Sequence, residues 1–340
     1  MNPSLNVCRL LILLFPLSLA PFVGAEPLRF ALVAKTLDNP FFVQTGEGCA
    51  AAARAEGDTC VLLGAHGPLH FRRQNEALEQ ALDSHPDGIA VSVSNSQWLS
   101  DHALRHLGSI PLITFDSDLA PMDRYLRRAY VGSDNLALGR DLGRLAQRLK
   151  PRGGTLCILS GWPDEANLHE RIAGIRQQLA GVRAPIDRLH GENGWSEPER
   201  CPLYNADTFQ TALTQLDTLL KAGQIDMIIS VGAWLVRRPE EFRQHLAPRL
   251  AELEKMGKRP DLIIVTIGDP SADLQAMLEE GLFRAYISTP TFELGRQSYR
   301  LMKRLAEGKP VPEKTYIDHR IHLPGAITVP KPGSHGPGGG

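Results

Sequence analysis

The chain has 340 residues, with 37 Lys and Arg against 38 Asp and Glu and a formal net charge of -1. That balance argues against a nucleic-acid surface built on excess positive charge, and no basic stripe stands out along the sequence. The length exceeds the ~150 residues usual for one domain, so two lobes are expected.

Residues 6–9 form a short, weakly basic start, followed by an apolar run over 10–19. Val23, Gly24 and Ala25 then supply the small-residue pattern of a leader cleavage site, placing cleavage after Ala25 and the mature protein in the periplasm. The apolar run is too short to span a bilayer, and nothing later in the sequence resembles a spanning helix. Cys8 precedes the run, so it is not the lipid-modified cysteine of a lipoprotein, which sits at the cleavage point. Cys49, Cys60, Cys157 and Cys201 remain, an even number that suggests disulfides in an oxidising compartment; reduced, buried thiols are the alternative. No pair is spaced CxxC, so neither a zinc ribbon nor a thioredoxin-type motif is supported. Cys49 belongs to the helix before the strand that holds Cys60. Cys157 lies in the first strand of the second half, and Cys201 in the loop after the next one. Neighbouring βαβ elements pack together, so Cys49–Cys60 and Cys157–Cys201 are the expected bridges, with the reach between helix and sheet as the obstacle.

Apolar strand-like runs at 30–34, 60–63, 88–93, 112–115 and 129–131 alternate with helical patterns at 41–56, 72–84 and 99–107. The alternation then restarts. Helices are expected at 135–149, 167–180, 207–222, 239–255, 272–280 and 292–307, and strands at 155–159, 186–190, 226–231, 262–267 and 285–288. Buried parallel strands separated by helices make two doubly wound α/β lobes. The expected boundaries are a leader over 1–25, one lobe of 26–131 plus 289–318, and a second of 132–288 plus 319–329, joined by a multi-strand hinge. The Pro/Gly-rich stretch 330–340 is expected to be a disordered tail.

Ligands of open parallel sheets sit beyond the carboxyl ends of the strands. After the first strand the chain places Asn39, Phe41 and Phe42 there. Aromatic faces pack on the C–H surface of a sugar and an amide bonds hydroxyls, although the two rings could equally fill the core. Trp98, Trp162, Trp195 and Trp234 all fall near expected strand exits, where they either touch ligand or pack between lobes.

The segment 30–53, with Thr114 to Ser117 (TFDS), Gly132 to Asn135 (GSDN) and Asn167 to Gly174 (NLHERIAG), resembles the periplasmic sugar-binding proteins of the ribose-binding type. The similarity runs from about residue 28 to 323. The resemblance implies a type I periplasmic binding fold, a small sugar-like ligand held between the lobes, and no cofactor or metal. It assigns ligand contacts to Asn39, Phe41, Phe42, Asp116, Asn167, Arg171 and Asp269. Asp116 could instead cap the next helix, and Arg171 could be a solvated helix residue. The chain departs from the family pattern at Ser117, where an arginine often stands, and at IGDP around Asp269. It departs again at Gly232-Ala233-Trp234, where Asn-Asp is usual, and at Thr289, where glutamine is usual. Trp195, Trp234 and Thr289 complete the expected ligand set. Lactose-repressor-type regulators share the fold but begin with a DNA-binding helix-turn-helix.

Enzymatic readings find little support. Gly46 to Ala51 imitates part of a dinucleotide fingerprint but falls inside a helix pattern rather than directly after a strand. There is no GxSxG, HExxH or phosphate loop. His102 and His106 form an i,i+4 pair that either binds a metal or is a solvated face. Two function classes remain: a monomeric capture protein feeding an ABC transporter permease, or a sensor docking on the ectodomain of a receptor histidine kinase.

Overall fold

The computed structural model describes residues 26–267 and 271–325. Its first elements are β1 (Arg29–Val33), α1 (Pro40–Ala55), β2 (Thr59–Leu63), α2 (Phe71–Asp83), β3 (Gly88–Val91), α3 (Ser96–Asp101), β4 (Leu112–Phe115) and β5 (Ala129–Gly132). Then come α4 (Asn135–Leu149), β6 (Gly154–Ser160), α5 (Ala166–Ala180), β7 (His190–Glu192), β8 (Trp195–Ser196), β9 (Leu203–Tyr204) and α6 (Phe209–Ala222). β10 (Met227–Ser230), α7 (Pro239–Lys255), β11 (Asp261–Ile267), α8 (Ala272–Glu279), β12 (Ala285–Thr289), α9 (Thr291–Ala306), β13 (Lys314–Tyr316) and β14 (Arg320–His322) follow.

The strands form two sheets. The first has the order β13-β5-β4-β3-β1-β2, with every neighbouring pair parallel. In the second, β12-β11-β10-β6 are parallel, and β14 lies antiparallel on β12. Alternation along β1 shows why its sequence is apolar throughout. Phe30 and Leu32 join a core with Phe42, Phe115 and Tyr299, while Ala31 and Val33 join another with Leu78, Ile89 and Leu99. Helices cover both faces, so both sets of side chains leave water.

The chain passes between the sheets three times: from β5 into α4, from β12 into α9, and from β13 to β14. α4 packs on α5, beside the second sheet, and α9 returns to lie against α1 and the first. Glycines allow both helix pairs to touch backbone to backbone. A Cβ at Gly139 of α4 would overlap the carbonyl oxygen of Arg171, and one at Gly174 of α5 would overlap that of Leu136. Gly48 of α1 and Gly295 of α9 likewise face the carbonyls of Phe292 and Thr45. Of the fingerprint-like glycines, Gly48 therefore serves helix packing and Gly46 lies against Leu62 of β2.

Cys49 is bonded to Cys60, and Cys157 to Cys201. The Cα atoms are 5.8 and 5.4 Å apart, inside the reach of a bridge.

Two expected elements differ. No strand forms over 186–189; a short antiparallel pair, β7 with β8, stands nearby. Pro185 supplies no N–H, and the guanidinium of Arg188 donates to the carbonyls of Pro198, Glu199 and Cys201, tying this segment to a turn rather than a ladder. The helix expected over 99–107 is α3 followed by a 3-10 turn at Ala103–His106. His102 leaves the helix to stack on Trp98 at 3.9 Å, with Nδ1 against the Trp98 carbonyl, so it does not share a helix face with His106. No group of three or more potential metal ligands is arranged for an ion among the described residues.

Candidate functional site

The carboxyl ends of both sheets face one cleft, lined by Asn39, Phe41, Phe42, Asp116, Asn167, Arg171, Trp234 and Thr289 together with Lys35, Glu165, Asp207 and Arg237. The first sheet delivers its part through tight turns. Asn39 caps α1, its Oδ1 accepting from the Phe41 N–H at 3.1 Å, which leaves the amide NH2 for other partners. Phe42 packs edge-on against Phe115 in the core, while Phe41 is only half-buried. Asp116 follows β4 with φ 60°, a left-handed conformation that aspartate tolerates. It does not cap a helix. Asp118 instead takes the local role, accepting from the Leu119 N–H at 2.9 Å and from Arg127 at 2.8 Å.

Asp116 accepts from Ser92 Oγ at 2.9 Å and, across the cleft, from Asn167 Nδ2 at 3.1 Å. Tyr130 below it donates to the Asp116 and Ser133 carbonyls, and burial, then Asp116, pushes its phenol well above the ordinary value. Arg171 is buried rather than solvated. Its Nε donates to Asn135 Oδ1 at 2.9 Å, across the close α4–α5 crossing, and its Nη1 to the carbonyl of Val231, just past β10, at 2.7 Å. Burial lowers its pKa against the opposing fields of Asp116 and other acids. The guanidinium carries more N–H donors than these two bonds use.

Four charged cleft residues were absent from the sequence-derived set. Lys35, just past β1, donates Nζ to Glu165 Oε1 at 2.6 Å and lies 3.7 Å from Asp116 Oδ2. Burial works against the Lys35 charge, but Glu165 and Asp116 outweigh it and hold its pKa above the usual lysine value. Glu165 Oε2 accepts from the Trp162 N–H at 3.2 Å. Asp207 accepts from the Trp234 indole N–H, and Arg237 holds it by a 3.2 Å bond to its carboxylate and a 2.6 Å bond to its carbonyl. Gly161 and Gly232 leave room for the Trp234 ring. The one sequence signal for these residues is position: each lies just beyond, or within a few residues of, a strand exit.

Trp195 is not brought to the cleft. It pairs with Gly154 at the amino end of β6, the end opposite the cleft, and only 1% of its surface is exposed. The strand expected before it does not form, so Trp195 opens a strand instead of following one. Trp98 stacks on His102 and Phe71 instead of lining the cleft. Thr289 donates its hydroxyl to the Thr266 carbonyl at 3.2 Å. Asp269 lies outside the described residues.

The periplasmic binding protein domain family matches residues 30–310. The chain belongs to this family. It is 27% identical over 185 residues to the D-ribose/D-allose-binding protein of Pseudomonas aeruginosa, a match covering 52% of this chain and 58% of that one. It is 24% identical over 293 residues to the D-allose-binding periplasmic protein of Escherichia coli (strain K12), covering 84% and 86%. In fold it is similar to a carbohydrate transporter solute-binding protein from Agrobacterium radiobacter solved with D-arabinose, with a TM-score of 0.73 and 17% identity over 88% of this chain and 95% of that one. This periplasmic binding protein thus shares a two-sheet scaffold with proteins named for sugars, and its cleft is lined by charged residues of both signs.

Proposed function

We propose that this periplasmic binding protein captures a monosaccharide, polyol or related small polar solute between its lobes and delivers it to an ABC transporter permease. The observation that carries this reading is the cleft itself. Among its described lining residues, Lys35, Arg171 and Arg237 are matched in number by Asp116, Glu165 and Asp207, and amide groups stand beside the half-buried ring of Phe41. Hydroxyl groups need such mixed donors and acceptors, and a neutral molecule suits a lining with no net charge. The relatives named for ribose and allose support the same class.

The lobes 26–131 plus 289–318 and 132–288 plus 319–329 close as bodies on the three passes of chain. No described helix is long and apolar enough to cross a membrane. Export with cleavage after Ala25 and action as a monomer complete the reading. Thermal-shift screening against a monosaccharide and polyol panel tests it, because a ligand bound only by the folded state raises the melting temperature by mass action. A panel without a single stabilising member would reject it.

A further inference from the structure

Lys35 and Glu165 are 130 residues apart in sequence and come from opposite sheets, yet their side chains meet at 2.6 Å and are 3% and 6% exposed. Asp207 is paired with Arg237, within the second lobe, at 3.2 Å. Each of these charges thus has its counter-charge within the protein. Arg171 makes no ion pair among the described residues, but it lies in the negative field of Asp116, Glu165 and Glu170. With Asp116 set against Arg171, the described lining charges balance, so a carboxylate or an ammonium entering would leave water for a cleft with no net charge to meet it. An unpaired charge inside a protein costs far more than an unpaired hydroxyl.

Building on sugar capture, we propose that the Lys35–Glu165 pair is a charge filter that restricts the cleft to uncharged sugars, excluding uronic acids and amino sugars. Each member cancels the other's attraction for an oppositely charged ligand. Because one comes from each lobe, the filter is complete only when the lobes meet, so a charged sugar is rejected at closure rather than at first encounter.

Calorimetry with D-ribose, D-allose, D-glucose and D-galactose, the uronates of the last two, and glucosamine and galactosamine tests the filter. The wild-type protein is expected to bind a neutral sugar and to bind charged sugars at least about a hundredfold more weakly. Glu165→Gln leaves Lys35 less neutralised, and the uronates should gain about tenfold or more relative to the neutral sugar. Lys35→Gln should favour the amino sugars by a similar factor and leave the uronates excluded. Wild-type protein that binds a charged sugar within tenfold of its neutral counterpart would overturn the filter, as would unchanged ratios in both variants. The wild-type ratios need no variant, and each variant tests the pair from its own lobe should the other fail to fold. Absence of binding by every neutral sugar would instead reject sugar capture itself.

Discussion

Asn167 donates its side-chain N–H to Asp116 across the cleft at 3.1 Å, while its own Oδ1 is buried and finds no hydrogen-bond partner among the described residues. A buried acceptor left unmatched is costly, and proteins seldom tolerate one without a function. Here it lies in the lining between the two lobes, where a ligand hydroxyl could satisfy it.

Removing either partner should weaken ligand binding more than folding. A hydrogen bond to a charged group contributes about 1.5–3 kcal/mol, so Asp116→Asn and Asn167→Ala are expected to lower affinity by roughly ten- to a hundredfold. Calorimetry with whichever sugar stabilises the protein, alongside the melting temperature of each variant, separates the two effects. Affinity within twofold of wild type in both variants would remove the pair from the binding site.

Trp234 is 3% exposed and its indole N–H is bound to Asp207, so size and hydrogen bonding must be tested separately. Trp234→Phe keeps most of the ring and loses the bond. It should change the order of preference among sugars at a stability cost near 1 kcal/mol. Trp234→Ala, which also empties a buried space, should cost about 3–5 kcal/mol in denaturant unfolding. An unaltered sugar ranking in the Phe variant would mean that Trp234 only fills space.

The first lobe should show a specific acid sensitivity at Asp58. Its carboxylate accepts from the Tyr299 hydroxyl at 2.6 Å, Lys303 Nζ at 2.9 Å and the Leu28 N–H at 2.9 Å. Burial works against the charge, but these bonds outweigh it and hold the pKa below its ordinary 3.8. A carboxyl depressed on folding stabilises the protein above its unfolded pKa, and that stabilisation is lost as pH falls through the folded value. Asp58→Asn should therefore cost about 1.5–3 kcal/mol near neutrality and flatten the decline in unfolding free energy below about pH 4. A variant with the wild-type acid slope would assign that slope to other carboxylates.

The two disulfides should differ in consequence. Cys49–Cys60 joins α1 to β2, whereas Cys201 stands just ahead of β9, which pairs with the carboxyl end of β6 and leads into Asp207. Bridges of this kind contribute about 2–4 kcal/mol. The separations of 44 and 11 residues favour the Cys157–Cys201 bridge. On chain entropy alone that advantage is about 1.2 kcal/mol. Cys49→Ser should lower stability and leave affinity intact; Cys201→Ser should lower both. Equal affinity in the two variants would uncouple β9 from the cleft.

The doubly wound fold was readable because buried parallel strands and their covering helices impose distinct periodicities on the sequence. Phe41, Asp116 and Arg171 could be found because each sits in a local motif beside a strand exit. Lys35 and Glu165 could not. Each looks like an ordinary polar residue until a long-range fold brings the other to it, and no local pattern encodes a pair formed between separate sheets. Trp195 was misplaced for a related reason: the irregular edge around β7 and β8 decides which end of the sheet it occupies, and Pro185 and Arg188 set that edge through contacts invisible in periodicity.

The position of Cys201 ahead of the segment that carries Asp207 makes the Cys157–Cys201 bridge a covalent anchor for one wall of the cleft. A chain whose Cys157 and Cys201 have not paired lacks that anchor, and is expected to hold solute less tightly than the oxidised chain by the same margin as Cys201→Ser.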